Sequence, residues 1–349
     1  MPTPKRSVAA SALSSRLRSD PSQTYMLRKR FEREVIKRFN KFKSALIDLV
    51  QKEDAFGLKG LVTNVRWKFR TNPQKVEEFR KWLASNTDYI LQGSTTEAIE
   101  QGFWDQYIEE AYKKGQGKSF ESVNKKKLGE SMDFYNGTKE QFLRSSFAQP
   151  ETKEKIQLLA GRVFSDLKGV TDAMATAMTR TLVDGLSQGQ NPFAIARQMV
   201  KDVDGIGINR ARMIARTETI RAHAEGQLDA LETMGIEEVG VAVEWDDAGD
   251  GRVCTLCSAM DGVVLKVKES HGLIPRHPNC RCAFLPANVG ESTKGQIRGS
   301  KAIAGAFKKS IVREIPKGSK RTYAEQKEKT SWAGADTKIA KKRPKSILD

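Results

Sequence analysis

Pro275-Arg276-His277-Pro278-Asn279-Cys280-Arg281-Cys282, read as PRHPNCRC, holds two of the four cysteines and one of the three histidines of a 349-residue chain. The other two thiols, Cys254 and Cys257, form a C-x2-C pair, so all four cysteines fall within residues 254–282. Disulfide staples are normally scattered, and no apolar leader opens the chain, so the cluster points to metal before disulfide. A tetrahedral Zn²⁺ takes four N/S ligands at about 2.0–2.3 Å. Cys254, Cys257 and Cys280 supply three, and His277 and Cys282 compete for the fourth place. An extended backbone throws Cys280 and Cys282 to opposite sides. His277-x-x-Cys280 can instead curl inward, and Pro278 biases the His277 backbone toward the extended form. Reduced thiols in a tight turn, or disulfides, are the alternatives. With every ligand supplied by the chain and no general base beside it, a zinc here would be structural.

Upstream of the cysteines the hydrophobic period is 2: Val239, Val241, Val243 and Trp245 alternate, which predicts a strand. Residues 236–289 therefore read as a small α+β or β-knuckle unit. Before it the pattern is helical. Phe31, Val35, Phe39, Phe42, Leu46 and Leu49 form one apolar stripe from Tyr25 on, with Arg28, Lys29, Arg30, Arg33, Lys37, Arg38, Lys41 and Lys43 on the other face. Thr71-Asn72-Pro73 predicts a helix start, with Val76, Phe79, Trp82 and Leu83 behind it. Ser94-Thr95-Thr96-Glu97 fits a capping box for a helix through Phe103, Trp104, Tyr107, Ile108 and Tyr112 that stops at Gly115. Residues 115–130 read as a loop and FYNGTKEQFL as a new helix. Helices are expected over Ile156–Leu167, Met174–Leu186, from Asn191-Pro192 through Val200, and over Asn209–Met234. The fold class is mainly α: a helical body with a small C-terminal α+β unit stabilised by zinc, and flexible basic termini. The expected layout is a flexible arm over 1–23, a helical region over 24–150, a functional domain over 151–289 and a basic, disordered tail over 290–349, where Ile297–Ile315 can form a short helix.

The net charge of +17 is unevenly placed. Residues 1–50 carry 12 Lys/Arg against 4 Asp/Glu, and residues 290–349 carry 16 against 6, while the 239 residues between are nearly balanced at 32 against 33. Two cationic ends on a neutral body suit contact with phosphate or with acidic protein surface. No apolar run is long enough to span a membrane.

Catalytic patterns are poorly supported. There is no Walker loop, H-E-x-x-H or G-x-S-x-G. His223 lies in a helix and His271 in a polar loop, and neither shows a partner set in the sequence. Asp246, Asp247 and Asp250 read as a strand end and turn. Gly205-Ile-Gly207 resembles the hairpin of helix-hairpin-helix proteins, although the same letters describe a Gly-rich turn entering a helix.

Arg210-Ala211, Ala215-Arg216-Thr217-Glu218, Trp245, Asp250-Gly-Arg252-Val-Cys254, Cys257, Asp261-Gly262 and Pro275-x-His277-Pro278-Asn279-Cys280-Arg281-Cys282 occur in this order. Together they resemble the phage head morphogenesis domain of Mu F-like minor head proteins, over about residues 150–288. The resemblance implies a non-enzymatic minor capsid component of the virion that acts in head morphogenesis, in the host cytoplasm during assembly. Its implied partners are the portal protein, the major capsid or scaffolding protein and, through the basic ends, phage DNA. It marks Arg216, Thr217, Glu218, Trp245, Asp250, Arg252, Gly262, Pro278 and Asn279 as motif residues. Glu218 with Arg221 or Arg216 is expected to brace the helix against the knuckle. Two other readings stand beside it: a zinc-dependent nucleic-acid-binding protein or nuclease using the knuckle and the Gly205 turn, and a toxin-delivery protein, for which no effector segment is visible.

Overall fold

The computed structural model describes residues 20–51, 72–91, 102–126, 137–235 and 241–288. Its elements are α1 (Tyr25–Gln51), α2 (Asn72–Leu91), α3 (Asp105–Lys126), α4 (Lys139–Ala148), α5 (Pro150–Gln188), α6 (Pro192–Asp202), a π turn (Val203–Ile208), α7 (Asn209–Thr233), β1 (Val241–Asp246), α8 (Thr255–Ser258), β2 (Val264–Leu265), α9 (Val267–Ser270) and β3 (Ala283–Asn288). The fold is thus mainly helical with one small antiparallel sheet, ordered β2-β1-β3. Thr71, the Ser94–Glu97 capping box, Val239 and the 290–349 tail lie outside the described residues.

Two compact units divide the chain: Met1–Arg28, Tyr107–Gln157 and Arg216–Asp349 form one, and Lys29–Gln106 with Leu158–Ala215 the other. In the second unit the stripe of α1 is core, since Phe31, Val35, Phe39, Phe42 and Leu46 are buried. Phe31 meets Phe103 edge-on with centroids 6.0 Å apart, and Phe42 packs on Trp82 at 5.5 Å. The Trp104 indole N–H donates to the Ala160 carbonyl at 3.1 Å, so that ring is anchored by its polar atom as well as its area. Not every cation of α1 is solvated as expected. Arg38 is buried, held by Glu34 at 2.9 Å and stacked 4.1 Å from the Phe103 ring.

In the first unit Arg28 is likewise buried and pairs with Asp20 at 2.8 Å. Asp20 also accepts the Tyr25 N–H at 2.7 Å, so residues 20–23, expected in the flexible arm, form the ordered cap of α1. The core of this unit runs from Phe120, Phe142 and Leu143 through Ile220, Leu228 and Leu231 to Trp245, Met260, Ile274 and Phe284. Buried Gln227 ties α7 to the sheet: its amide NH₂ donates to the Phe284 carbonyl at 2.8 Å and its oxygen accepts the Phe284 N–H at 3.2 Å.

Three expected helix ends are absent. α3 does not stop at Gly115 but continues to Lys126, replacing the loop expected over 115–130 up to that residue. A Cβ on Gly115 would stand 2.0 Å from the His223 carbonyl oxygen, and one on Gly226 2.2 Å from that of Tyr112. These glycines serve a close crossing of α3 and α7, and neither ends a helix. The segments expected over 156–167 and 174–186 are one helix of 39 residues, in which Gly161 and Gly169 face open space. Each costs about 1 kcal/mol relative to alanine, which is affordable in a helix this long. Gly205-Ile-Gly207 is no hairpin but part of the π turn that joins α6 to α7, with Gly207 against Phe39 and Met174. The cap expected at Asn191 is present, and α4 has one that the sequence reading did not name. Thr138 and Gln141 form a reciprocal capping box for α4, and the Asn191 side chain accepts the Phe193 N–H at the start of α6.

Candidate metal centre

The centre is built on the first unit, from two turns that leave β1 and enter β3. After β1, Asp247 and Asp250 accept N–H groups from Gly249 and Arg252 at 2.7 and 3.0 Å, two Asx turns that fold the chain back. Gly262 at φ +77° closes this excursion by donating to the Trp245 carbonyl at 2.8 Å. Cys254 caps α8, its sulfur receiving the Cys257 N–H at 3.4 Å, which sets the two thiols on one side of a single helical turn.

The second turn is PRHPNCRC. Asn279 sits at φ +62°, a conformation that asparagine tolerates better than most residues, and its N–H donates to the Thr217 hydroxyl at 3.0 Å. The Cys280 N–H returns to the His277 carbonyl at 3.1 Å, so His277 and Cys280 face the same way. His277 Nε2 is 3.1 Å from both Cys254 Sγ and Cys257 Sγ, and Cys257 Sγ is 3.8 Å from Cys280 Sγ. Two overlapping sets result, Cys254–Cys257–His277 and Cys257–Cys280–Cys282, with Cys257 common to both. All four cysteines are free, and Cys257, Cys280 and Cys282 are buried.

The donor set fits a tetrahedral ion. Two thiolates at about 2.3 Å from zinc stand about 3.8 Å apart, the spacing of Cys257 and Cys280. His277 Nδ1 lies 2.8 Å from the Pro278 carbonyl, to which it donates, leaving the Nε2 lone pair on the side of the thiols. Within the cluster the Cys254 thiol is held down at about 4 by its hydrogen bond with Cys257, against burial and with help from His277. Burial would lower His277, yet the Cys254 and Cys280 sulfurs push it up to about 9. The cluster therefore favours the Cys254 thiolate, the form in which a cysteine binds metal, and an ion at Nε2 would take the place of the His277 proton. Cys282 belongs to the second set, with Cys257 and Cys280, and is buried.

Of the motif residues, Thr217 provides a brace between α7 and PRHPNCRC. Glu218 forms a buried ion pair with Arg221 at 3.1 Å along the same helix. Pro278 supplies the carbonyl that orients His277. Arg252 donates to Asp250 at 3.1 Å while remaining exposed. A residue that the sequence reading passed over is Arg281, which grips both Asp250 oxygens at 2.6 Å. This fork ties one turn to the other and holds the Asp250 carboxyl well below the usual carboxylate range. Because the folded value lies under the unfolded one, that stability is present above about pH 4 and fades as pH falls further. Arg281→Lys, which loses the fork but keeps the charge, should lower the melting midpoint at pH 7, with the deficit shrinking below pH 4; an equal deficit at both would contradict the pairing.

His271 also has a partner set that the sequence did not disclose. Its Nδ1 lies 2.6 Å from Glu225 and its Nε2 3.0 Å from Glu232, and the Gly272 N–H donates to the other Glu225 oxygen at 2.7 Å. Glu225 and Glu232 are seven residues apart, two turns along one face of α7. Burial acts to lower His271, but the two carboxylates win and push it up to about 9. The folded value exceeds the unfolded one near 6.5, so this clamp contributes fully below about pH 6.5 and is lost as pH rises through about 9. His271→Gln should cost roughly 1–2 kcal/mol at pH 6 and much less at pH 10, read from urea midpoints. A penalty independent of pH would exclude the charged clamp.

Residues 176–285 match the family model described as phage Mu protein F like protein. No curated protein and no solved structure matches the chain. The matched span begins within α5, takes in the Thr217 brace, and ends in β3 just past Cys282. The ordered motifs and the geometry of the two turns thus meet in one stretch, and residues 176–285 carry a phage Mu protein F-like region.

Proposed function

We propose that the chain is a minor head protein that acts in phage head morphogenesis and catalyses no reaction, and that Cys254, Cys257, His277 and Cys280 hold a structural zinc. The observation that carries this reading is the approach of the C-x2-C turn and PRHPNCRC, inside the matched region, in two overlapping sets of candidate ligands that share Cys257. His277 is proposed as the fourth ligand because its Nε2 lies 3.1 Å from two thiols, with Cys282, which groups with Cys257 and Cys280, as the alternative. When bound, the ion would supply cross-linking of two turns that have little secondary structure of their own. The head morphogenesis domain is taken as residues 151–289.

The nuclease reading loses its groups in this arrangement, since His277 is engaged by thiols and Asp250 by Arg281. Among the described residues no helix is long and apolar enough to cross a membrane. Portal protein and major capsid or scaffolding protein are the proposed protein partners, and the basic ends are proposed to meet packaged DNA. Cross-linking in assembling particles tests the placement in the head: the chain should be recovered in virions and joined to portal. Its absence from purified virions and procapsids would overturn the reading.

A further inference from the structure

Of the three histidines, His223 is used neither by the cysteine cluster nor by the Glu225–Glu232 clamp. It sits in α7, whose residues 217–231 are buried except for half-buried Glu225. Its own side chain is 1 % exposed, and neither ring nitrogen has a hydrogen-bond partner. The amide of its i+4 neighbour Gln227 is turned to Phe284 instead. The backbone around it is tight, since the His223 carbonyl oxygen lies 2.0 Å from where a Gly115 Cβ would stand and the Tyr112 carbonyl oxygen 2.2 Å from where one on Gly226 would. α3 and α7 therefore cross in backbone contact over the turn that carries the ring. The charges that weigh on it are those of Lys118 and Lys114 from α3 and Arg28 from α1, and no carboxylate is among them. Arg28 is buried and paired with Asp20, and Lys118 donates to the Pro21 carbonyl, so the cap of α1 holds two of the three cations in place. Burial first, and then these cations, keep the ring well below its ordinary pKa, so at neutral pH it is uncharged.

We propose that His223 is an acid-sensitive latch on the first unit: uncharged, it packs in the α3–α7 crossing, and protonated it drives that crossing apart. A buried cation with no hydrogen-bond acceptor and three cations around it has nothing to offset its lost hydration. Ile220 and Ala224, on either side of it in α7, share one core with Phe284, Cys257 and Cys280, so an opened crossing loosens the sheet and the cysteine cluster as well. The ring takes up a proton more readily in the opened chain than in the closed one. The penalty is therefore absent above about pH 6.5 and grows as pH falls below it. His271, pushed up to about 9, is charged in both states below 6.5, and Asp250 titrates only near pH 4 and below, so neither shapes the window between 6.5 and 5. The inference rests on burial, missing partners and charge placement, and stands whether or not the cysteines hold zinc.

The test is the unfolding equilibrium of the full chain in urea, at about pH 7.5 and 5.0, for the wild type and for His223→Leu, which cannot titrate. Over this range the wild-type unfolding constant should rise about thirtyfold more than the variant's, the ratio set by an unfolded value of about 6.5. Metal loss and carboxylate titration are common to both chains and cancel in the comparison. An equal rise in both would overturn the proposal. Should the leucine variant not fold, the imidazole C–H resonances of the wild type decide, because they report the charge of the ring directly. They should keep the neutral position down to about pH 5.5 for as long as the chain is folded. A His223 ring that titrates near its ordinary value within the folded chain would overturn the latch.

Discussion

Cys257→Ser is expected to release the metal and to cost more stability than any other single substitution in the chain. Cys257 is the member common to both thiol sets, 3.1 Å from His277 Nε2 and 3.8 Å from Cys280 Sγ, and it is buried. Apparent binding free energies of structural zinc reach about 10–16 kcal/mol near neutral pH, and most of that is folding free energy when the site is not preformed. The turn from Asp247 to Cys254 and the turn from Leu273 to Cys282 carry almost no regular structure between them. Losing the ion should therefore open both and remove the support under β1 and β3. The expected result is a chain with no stoichiometric zinc and fast amide exchange in the sheet, while α5 and the helices of the second unit keep their protection. Cys282→Ser serves as the contrast. It leaves the proposed ligands in place and should retain one zinc per chain, with a loss of about 1–3 kcal/mol from a buried polar change. A Cys257→Ser protein with full zinc content would contradict the assignment.

Gly115→Ala should destabilise the first unit by about 1–2 kcal/mol, because an overpacking penalty near the upper end of its usual range, about 3 kcal/mol, outweighs a helix-propensity gain of about 1 kcal/mol. The added Cβ would lie 2.0 Å from the His223 carbonyl oxygen, and backbone cannot swing aside as a side chain does. The sign makes the test sharp. On propensity alone alanine in mid-helix raises the melting midpoint, whereas a close crossing lowers it. Gly161→Ala in α5, where nothing lies within 4 Å, should raise the midpoint slightly. Opposite signs for the two glycines are expected, and a rise at both would mean that α3 and α7 do not approach closely.

Why the helical stripes were legible while the helix ends were not follows from what each signal measures. Apolar residues at 3.6 spacing report burial directly, and Phe31 through Leu46 occupy the core as their spacing requires. A glycine instead reports only that a side chain is excluded. Gly115 looked like a helix stop because nothing local distinguishes a chain end from a close helix crossing, and the partner that decides it, His223, is 108 residues away in sequence. The same holds for Arg281 and His271. Their carboxylates, Asp250, Glu225 and Glu232, come from distant positions, so no local spacing announces them. The cysteine cluster was visible because Cys254, Cys257, His277, Cys280 and Cys282 lie close together in the sequence. The orientation of the His277 ring was not legible either, because it depends on the Pro278 carbonyl and on the turn that Thr217 braces at Asn279.

Zinc-edge X-ray absorption on the purified full-length chain tests the metal clasp most directly. One zinc per chain is expected, in a shell of three sulfurs near 2.3 Å and one nitrogen near 2.0 Å. A folded protein without zinc, or a shell of four sulfurs, would contradict the set Cys254, Cys257, His277 and Cys280.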